Sequence, residues 1–278
     1  MIHPSKILQN YDARARKHLG QNFLVNVHSL QGIEDILPAG CRVLEIGPGL
    51  GAVTRVLLEK DFRVVVCEKD AEMVEILKKE FTDLKIIHDD FLQVEISDLK
   101  ALGVVAVVGN LPFYITSDII VRIMSDLTFI ETALLGVQKE VAERIQLGQG
   151  NSLALFCRAL GKAKIFSRIK KTSFYPVPGV DGAWVHWVRD HKVKDIEDFS
   201  LITRACFWGK RKTLKNSLLN NPHFIESARG QQFHSRLVSH LDDNNIKKFL
   251  ERRADDLSFD EYLQLLDFFT STDNQALN

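Results

Sequence analysis

The fold of this chain is decided by the stretch Arg42-Val43-Leu44-Glu45-Ile46-Gly47-Pro48-Gly49-Leu50-Gly51. Three of the five residues in its first half are apolar and two of these are β-branched, which together with the short length predicts a buried strand. Its second half is rich in glycine and predicts a tight turn that leads into an amphipathic helix over residues 52–60. A buried strand, a glycine-rich turn and a helix in this order are typical of the start of an α/β domain.

Strand and helix patterns alternate on both sides of this stretch, which predicts a mostly parallel sheet covered by helices on both faces. We expect further strands at residues 63–67, 85–88, 104–108, 132–137, 164–169 and 183–188. We expect helices at residues 27–37, 73–80, 117–124 and 139–147. After a polar linker at residues 190–197 the pattern is helical only. The sequence therefore predicts an α/β domain over residues 1–190 and a small all-α domain over residues 191–278.

The composition of the chain argues against several classes of protein. The chain has 278 residues, 36 basic and 36 acidic, and 45% of its residues are hydrophobic, as in an ordinary globular protein. No apolar run approaches the roughly 20 residues that cross a bilayer, and no secretory signal begins the chain, so we expect a cytoplasmic protein without a membrane partner. The scattered cysteines and histidines predict neither disulfides nor a metal site. Zero net charge disfavours a nucleic-acid partner unless basic residues gather locally.

The glycine-rich turn predicts a nucleoside site. Gly47 and Gly49 let backbone amides approach a ligand, and Glu68 ends the next strand 21 positions after Gly47. An acidic residue at that distance suits the hydroxyl groups of a ribose. Gly47, Gly49 and Ala52 also satisfy the dinucleotide fingerprint, so an NAD-dependent oxidoreductase stays open at this point.

Two further acidic residues favour a different cofactor. Glu45 precedes the turn, where an acid can meet a cationic amino-acid group, and Asp90 follows the third strand, where it can accept from an adenine amine. Several acidic strand ends around one crevice suit a ligand that carries an ammonium and a sulfonium better than they suit a pyrophosphate.

A second motif, Asn110-Leu111-Pro112-Phe113, follows the fourth strand at the edge where such sheets bind ligands. The side-chain oxygen of Asn110 can accept hydrogen bonds from an adenine amine and draw its nitrogen toward a pyramidal, more nucleophilic geometry. Pro112 stiffens the loop and biases Leu111 toward extended backbone, which aims the Leu111 carbonyl at the same amine. Phe113 offers a face for stacking an adenine, worth about 1–3 kcal/mol.

These motifs and their order resemble the KsgA-type ribosomal RNA adenine dimethyltransferases. Besides the segments quoted above, the resemblance rests on residues 17–24 (KHLGQNFL), 137–144 (VQKEVAER), 174–181 (FYPVPGVD) and 207–216 (FWGKRKTLKN). Each motif alone would be weak, whereas several in register over residues 17–181 are specific. The resemblance implies a Rossmann-like class I methyltransferase domain followed by a helical RNA-binding domain.

The resemblance also implies a reaction and a set of site residues. The reaction would be the S-adenosyl-L-methionine-dependent dimethylation of two adjacent adenines in the 3′-terminal hairpin of 16S rRNA, within a small ribosomal subunit precursor. Cofactor contacts would come from Asn22, Leu24, Gly47, Glu68, Asp90 and Asn110, beside Glu45 and Gly49. Phe113 replaces the family's usual tyrosine, and Phe174 matches an aromatic that closes on the target base. Asn151-Ser152 depart from the family's usual Gly-Arg.

Local basic clusters provide for RNA binding despite the neutral total. We expect a monomer whose RNA contacts come from an N-terminal segment, residues 1–26, and from the helical domain, namely Arg14, Arg16, Lys17, Lys210, Arg211, Lys212 and Lys215. Two alternatives stay open: an Erm-type methylase acting on 23S rRNA, and an RNA-binding factor that keeps the fold without catalysis.

Overall fold

A computed structural model of the chain describes residues 2–16, 19–209 and 211–271. The described chain divides into two compact units. The first comprises the residues up to Gln146 together with Lys162–Arg189, and the second comprises Leu147–Gly161 together with the residues from Asp190 onward. The predicted division assigned residues 147–161 to the first domain, whereas the structure packs them with the second unit.

The first unit is built on a seven-stranded sheet with the order β4-β3-β2-β5-β6-β9-β7. The strands of the chain are β1 (Phe23–Leu24), β2 (Arg42–Ile46), β3 (Arg63–Glu68), β4 (Lys85–His88), β5 (Ala106–Asn110), β6 (Thr132–Gln138), β7 (Gly161–Ile169), β8 (Phe174–Tyr175) and β9 (Gly182–Arg189). Strands β2 to β6 are parallel, and β9 is antiparallel to β6. The apolar side chains of β2 and β5 are inaccessible on both faces, as the apolar runs predict. The predicted α/β architecture is confirmed.

Helices flank the sheet in the first unit and make up most of the second. They are α1 (Pro4–Asn10), α2 (Ala52–Glu59), α3 (Ala71–Glu80), α4 (Ile96–Ala101), α5 (Thr116–Val121), α6 (Lys139–Leu147), α7 (Ser152–Leu160), α8 (Ile196–Cys206), α9 (Leu214–Asn220), α10 (Pro222–Glu226), α11 (Ala228–Ser239), α12 (Asn244–Leu250) and α13 (Phe259–Thr270). A π-helical turn, Arg122–Asp126, extends α5. No helix in the described part of the chain is long and apolar enough to cross a membrane.

The turn between β2 and α2 depends on glycine. Gly51 caps α2 with φ at +77°, a left-handed conformation that side-chain-bearing residues rarely adopt. A Cβ at this position would also overlap the Phe81 ring. The chain can therefore leave β2, turn at the sheet edge and start α2 only because residue 51 has no side chain.

One helix prediction is wrong. The apolar spacing over residues 27–37 predicts a helix, whereas the structure has two short 3₁₀ turns, His28–Leu30 and Ile33–Asp35. Gly32 separates them with φ at +84° and breaks the helical path. Leu30 and Ile33 are nevertheless buried against the sheet, so the apolar spacing reports burial rather than a helix.

The second unit has its own apolar core. Aromatic side chains occupy its centre, with Phe199, Phe224, Phe233, Tyr262 and Phe269 all buried. Helix ends are closed by short polar side chains: Ser258 and Glu261 form a capping box at α13, and Asn151 accepts a hydrogen bond from the Ala154 amide at 2.7 Å to cap α7. The departure from the family pattern at Asn151 thus serves as a helix cap.

The four cysteines form no disulfide with one another. Cys67, Cys157 and Cys206 are buried and Cys41 is half-buried. Burial raises the pKa of the Cys67 thiol to about 12, so it stays protonated at neutral pH.

Candidate active site

A pocket lies at the carboxyl edge of β2, β3 and β5 and contains about 980 Å³ of space, open solvent at its mouth included. Loops at the carboxyl ends of parallel strands converge at one edge, which is where open α/β sheets bind ligands. The lining comes from five stretches of the first unit: residues 19–24, 45–53, 67–69, 89–91 and 110–119. Every predicted cofactor residue belongs to this lining.

Glu68 organises the glycine-rich loop. Its Oε2 accepts a hydrogen bond from the Gly49 amide at 3.1 Å, and its Oε1 accepts one from the Asp70 amide at 2.8 Å. Only 8% of the residue is exposed, and this burial raises the pKa of its carboxyl. Gly47 stands open beside it, with φ at +65° and nothing within 4 Å of the position of a Cβ. A ligand can therefore approach the backbone at Gly47.

Glu45 lies deeper beneath the same loop. It is 1% exposed, and its Oε2 accepts a hydrogen bond from the Thr54 hydroxyl at 2.6 Å. Burial raises the pKa of this carboxyl to about 8, because desolvation disfavours the charged form. Glu45 is thus largely neutral at pH 7 until a cation comes close to it.

Asp90 lines the same pocket from the loop that follows β4. Its Oδ2 pairs with Lys69 Nζ at 2.8 Å and its Oδ1 accepts from the Leu92 amide at 3.0 Å. Partial burial raises the pKa of this carboxyl, but the hydrogen bonds from Lys69 and Leu92 outweigh it, so the pKa lies below its ordinary value. Lys69, which the sequence analysis did not single out, directly follows Glu68 and lines the pocket.

Asn110 ends β5 and joins the pocket to the N-terminal segment. Its Nδ2 donates to the Asn22 carbonyl at 3.1 Å, and the Asn22 side chain donates to the Gly20 carbonyl at 3.0 Å. Asn110 Oδ1 lies over Gly136, 2.9 Å from where a Cβ would stand, and no described residue donates a hydrogen bond to it. This oxygen is therefore available as an acceptor.

The rest of the motif is held rigidly. Leu111 is buried, and its amide donates to the Gly136 carbonyl at 2.9 Å. The Pro112 carbonyl accepts from the Thr116 hydroxyl at 2.9 Å, which ties the loop to the first turn of α5. Asn110 and Pro112 line the pocket, whereas Leu111 packs behind it.

The aromatic residues are placed differently from the sequence prediction. Among the described residues, the pocket lining includes Tyr114, which is 57% exposed, and not the half-buried Phe113. Phe174 is only 3% exposed, because β8 pairs with β1 and carries this ring into the core of the first unit. The structure therefore does not place Phe174 at the reacting base. Tyr114 follows the predicted motif directly, which is the signal that could have found it.

The basic residues that the sequence predicts as RNA contacts differ in their surroundings. Arg14 and Arg16 are both exposed. Arg16 Nη1 pairs with Asp70 at 3.0 Å, which fixes the N-terminal segment to the start of α3. Lys17 and Lys210 lie outside the described residues. In the second unit Arg211, Lys212 and Lys215 are exposed, and Lys212 Nζ lies 3.9 Å from the centre of the Trp208 ring.

Comparison with known proteins finds similarity along most of the chain. A family described as "Ribosomal RNA adenine dimethylase" matches residues 12–263. The protein named ribosomal RNA small subunit methyltransferase A from Chlorobaculum tepidum is 38% identical over 212 residues, covering 73% of this chain and 77% of the relative. Its namesake from Mycoplasma mycoides is 32% identical over 267 residues, covering 91% and 96%. A crystal structure of a dimethyladenosine transferase from Plasmodium falciparum shares the fold with a TM-score of 0.69 at 23% identity, covering 87% of this chain and 95% of that one.

Proposed function

The chain belongs to the ribosomal RNA adenine dimethylase family, and we propose that it dimethylates N6 of two adjacent adenosines in the 3′-terminal hairpin loop of 16S rRNA. The observation that supports this most is the convergence of Glu68, Asp90 and Asn110 at one sheet edge, around one pocket. An adenine dimethylase must hold a nucleoside cofactor and a target adenine side by side, and this pocket has an acidic wall for the first and a free amide oxygen for the second.

The hydrogen-bond acceptors of the pocket fit S-adenosyl-L-methionine, the cofactor of this family. Glu68 suits the ribose hydroxyls, Asp90 suits the adenine amine, and Glu45 suits the ammonium of the methionine part. The cofactor supplies a methyl group activated by its bond to a positively charged sulfur. Gly47 leaves room for the ligand along the backbone, Gly49 packs against the Phe23 ring, and Asn22 and Leu24 line the pocket from the N-terminal side. A pyrophosphate would face the same carboxylates with like charge, so the pocket disfavours a dinucleotide.

We assign methyl-acceptor activation to Asn110 and its neighbours. The bond from Asn110 Nδ2 to the Asn22 carbonyl fixes the plane of the amide, which leaves Oδ1 as the acceptor for an amine proton. Pro112 removes backbone freedom from the loop, so the acceptor is held in place before the substrate arrives. We expect the Leu111 carbonyl to accept the second amine proton. Catalysis then rests on positioning and on acceptors rather than on a strong base.

Stacking of the target adenine falls to the aromatic residues beside this loop. Tyr114 lines the pocket and offers a largely exposed ring, whereas Phe113 is half-buried next to it. Flipping a base out of a hairpin loop costs little free energy, because loop bases are only partly stacked. Stacking of the flipped base on an aromatic side chain then contributes about 1–3 kcal/mol to its binding. We propose Tyr114 as the main platform, with Phe113 supporting it.

The RNA would be held through phosphate contacts from exposed basic side chains. Arg14 in the first unit and Arg211, Lys212 and Lys215 in the second are exposed candidates. Arg16 is exposed as well, and its ion pair with Asp70 also fixes the N-terminal segment. We further propose that the protein acts in the cytoplasm as a monomer on a small-subunit precursor.

The direct test is to incubate the protein with unmethylated small ribosomal subunits and S-adenosyl-L-methionine carrying a labelled methyl group, and to map the label. We expect two labelled adenosines in the 3′-terminal hairpin of 16S rRNA, each carrying two methyl groups. The Asn110→Ala variant serves as a matched control that should label the subunits about a hundredfold more slowly or slower still. Label in the 23S rRNA of large subunits incubated in parallel, or no label with intact protein, would contradict the proposal.

A further inference from the structure

A single arginine clamps the loop that carries Asp90. After α5 the helix widens into a π-helical turn, in which the Leu127 amide donates to the Arg122 carbonyl at 3.3 Å. From this turn the Arg122 guanidinium donates through Nη1 to the Leu92 carbonyl and through Nη2 to the Val94 carbonyl. π-Helical turns inside helices often occur at functional sites.

The clamped loop is closed from two sides. On its inner side Asp90 Oδ1 accepts from the Leu92 amide at 3.0 Å, and the Asp90 carbonyl accepts from the Val94 amide at 3.2 Å. On its outer side the Arg122 guanidinium covers the Phe91 ring, with its central carbon 5.5 Å from the ring centre. Asp90 and Phe91 both line the pocket. The loop that faces the adenine end of the site thus has its shape fixed by internal hydrogen bonds and by one external cation.

The same arginine belongs to the helix that begins at the catalytic motif. The hydroxyl of Thr116 in the first turn of α5 bonds the Pro112 carbonyl, and Ile115 and Ile119 line the pocket beside the motif. Because Arg122 is on the extension of this helix, its two hydrogen bonds connect the wall that carries Asn110 to the wall that carries Asp90. The hydrogen bonds of the Arg122 guanidinium go to backbone carbonyls, and its charge also helps to lower the pKa of the Asp90 carboxyl.

We propose that Arg122 is a positioning residue for cofactor binding: it holds the Leu92–Val94 carbonyls so that Asp90 and Phe91 stay in the conformation that receives the adenine. This inference rests on the proposed function. A planar guanidinium can donate to two carbonyls at once in a fixed geometry, whereas an ammonium acts as a point charge. Without the clamp the loop samples other conformations, and the apparent dissociation constant rises as the inverse of the fraction of protein that remains competent to bind.

The test measures binding rather than turnover, with S-adenosylhomocysteine and 5′-methylthioadenosine as probes in isothermal titration calorimetry. We expect Arg122→Met to raise the dissociation constants of both probes about tenfold, because both contain the adenosine part. Arg122→Lys should recover part of the affinity and also covers the case in which the Met variant fails to fold. At saturating cofactor, kcat should change by less than about twofold. Hydrogen exchange should accelerate at residues 89–94 in particular.

Arg42→Met is the matched control. Arg42 is also a half-buried arginine that donates to a backbone carbonyl, that of Leu102, but it begins β2 at the opposite end of the sheet from the pocket. We expect it to lower stability without changing the affinity for either probe. If Arg122→Met binds both probes with unchanged affinity, or if Arg42→Met loses as much affinity as Arg122→Met, the role of Arg122 is wrong while the proposed function still stands. Failure of the unaltered protein to bind S-adenosylhomocysteine would overturn the proposed function, and this inference with it.

Discussion

Replacing Glu45 by glutamine should change how the stability of the protein depends on pH. In the folded protein burial raises the pKa of this carboxyl from its ordinary 4.5 to about 8. Between these values the unfolded chain has released the proton while the folded protein still holds it. The free energy of unfolding therefore falls as pH rises from about 4.5 to about 8. Glutamine keeps an oxygen that can accept from Thr54 but does not titrate, so the variant escapes this loss.

The size of the effect follows from the same values. A tenfold change in an acid dissociation constant is worth about 1.4 kcal/mol, so the full interval corresponds to at most about 5 kcal/mol. We expect Glu45→Gln to match the parent protein at about pH 4, below the ordinary pKa of this carboxyl. It should exceed the parent by several kcal/mol at about pH 9, in urea unfolding without ligand. The parent should also bind S-adenosylhomocysteine more tightly at the higher pH, where Glu45 is charged, and the variant should lack this gain.

A surface variant controls for general charge effects. Glu75 is exposed, and its hydrogen bond with Lys78 lowers the pKa of its carboxyl, so it is ionised in both folded and unfolded protein above about pH 5. The difference between Glu75→Gln and the parent should therefore stay constant from pH 5 to pH 9. If Glu45→Gln behaves in the same way, the Glu45 carboxyl is not held neutral by burial, and the reasoning is refuted.

Further variants test the catalytic loop, the turn and the RNA contacts. Asn110→Ala should lower kcat by about 10² or more, as deletion of one preorganised polar group does, while S-adenosylhomocysteine still binds. Near-parental kcat would remove Asn110 from acceptor activation. Tyr114→Ala should impair methylation more than Phe113→Ala in the same assay, and the reverse order would return the stacking role to Phe113. Gly51→Ala should destabilise the protein by more than about 1 kcal/mol in urea unfolding, because of its left-handed φ and the neighbouring Phe81 ring; a neutral result would contradict the turn geometry. Subunit binding should weaken at least tenfold between about 50 and about 200 mM salt, and a flat response would exclude phosphate contacts.

The sequence predicted best the features that repeat along the chain. Apolar runs and glycine-rich breaks gave the parallel strands, and the strand ends gave Glu68, Asp90 and Asn110, because carboxyl ends of parallel strands share an edge. The same patterns failed where a single residue decides the local path. Gly32 breaks the helix that the spacing predicts for residues 27–37.

The sequence patterns could not predict contacts between segments that are far apart along the chain. Phe174 reads as a site aromatic, yet its pairing with Leu24 across β8 and β1 carries it into the core. Arg122 lies 28 positions from the Val94 carbonyl to which it donates, and no local pattern marks that hydrogen bond. Arg16 stays a predicted RNA contact, and its ion pair with Asp70 could not be predicted from the sequence. Each of these assignments depends on a partner that only the folded chain brings close.

A crystal structure of the protein with S-adenosylhomocysteine is the most direct measurement of where the chemistry takes place. We expect the ribose on Glu68, the adenine beside Asp90 and Phe91, and the sulfur facing the Asn110 side-chain oxygen. A ligand bound elsewhere, or an Asn110 side chain turned away from it, would contradict the assignment of this sheet edge as the active site.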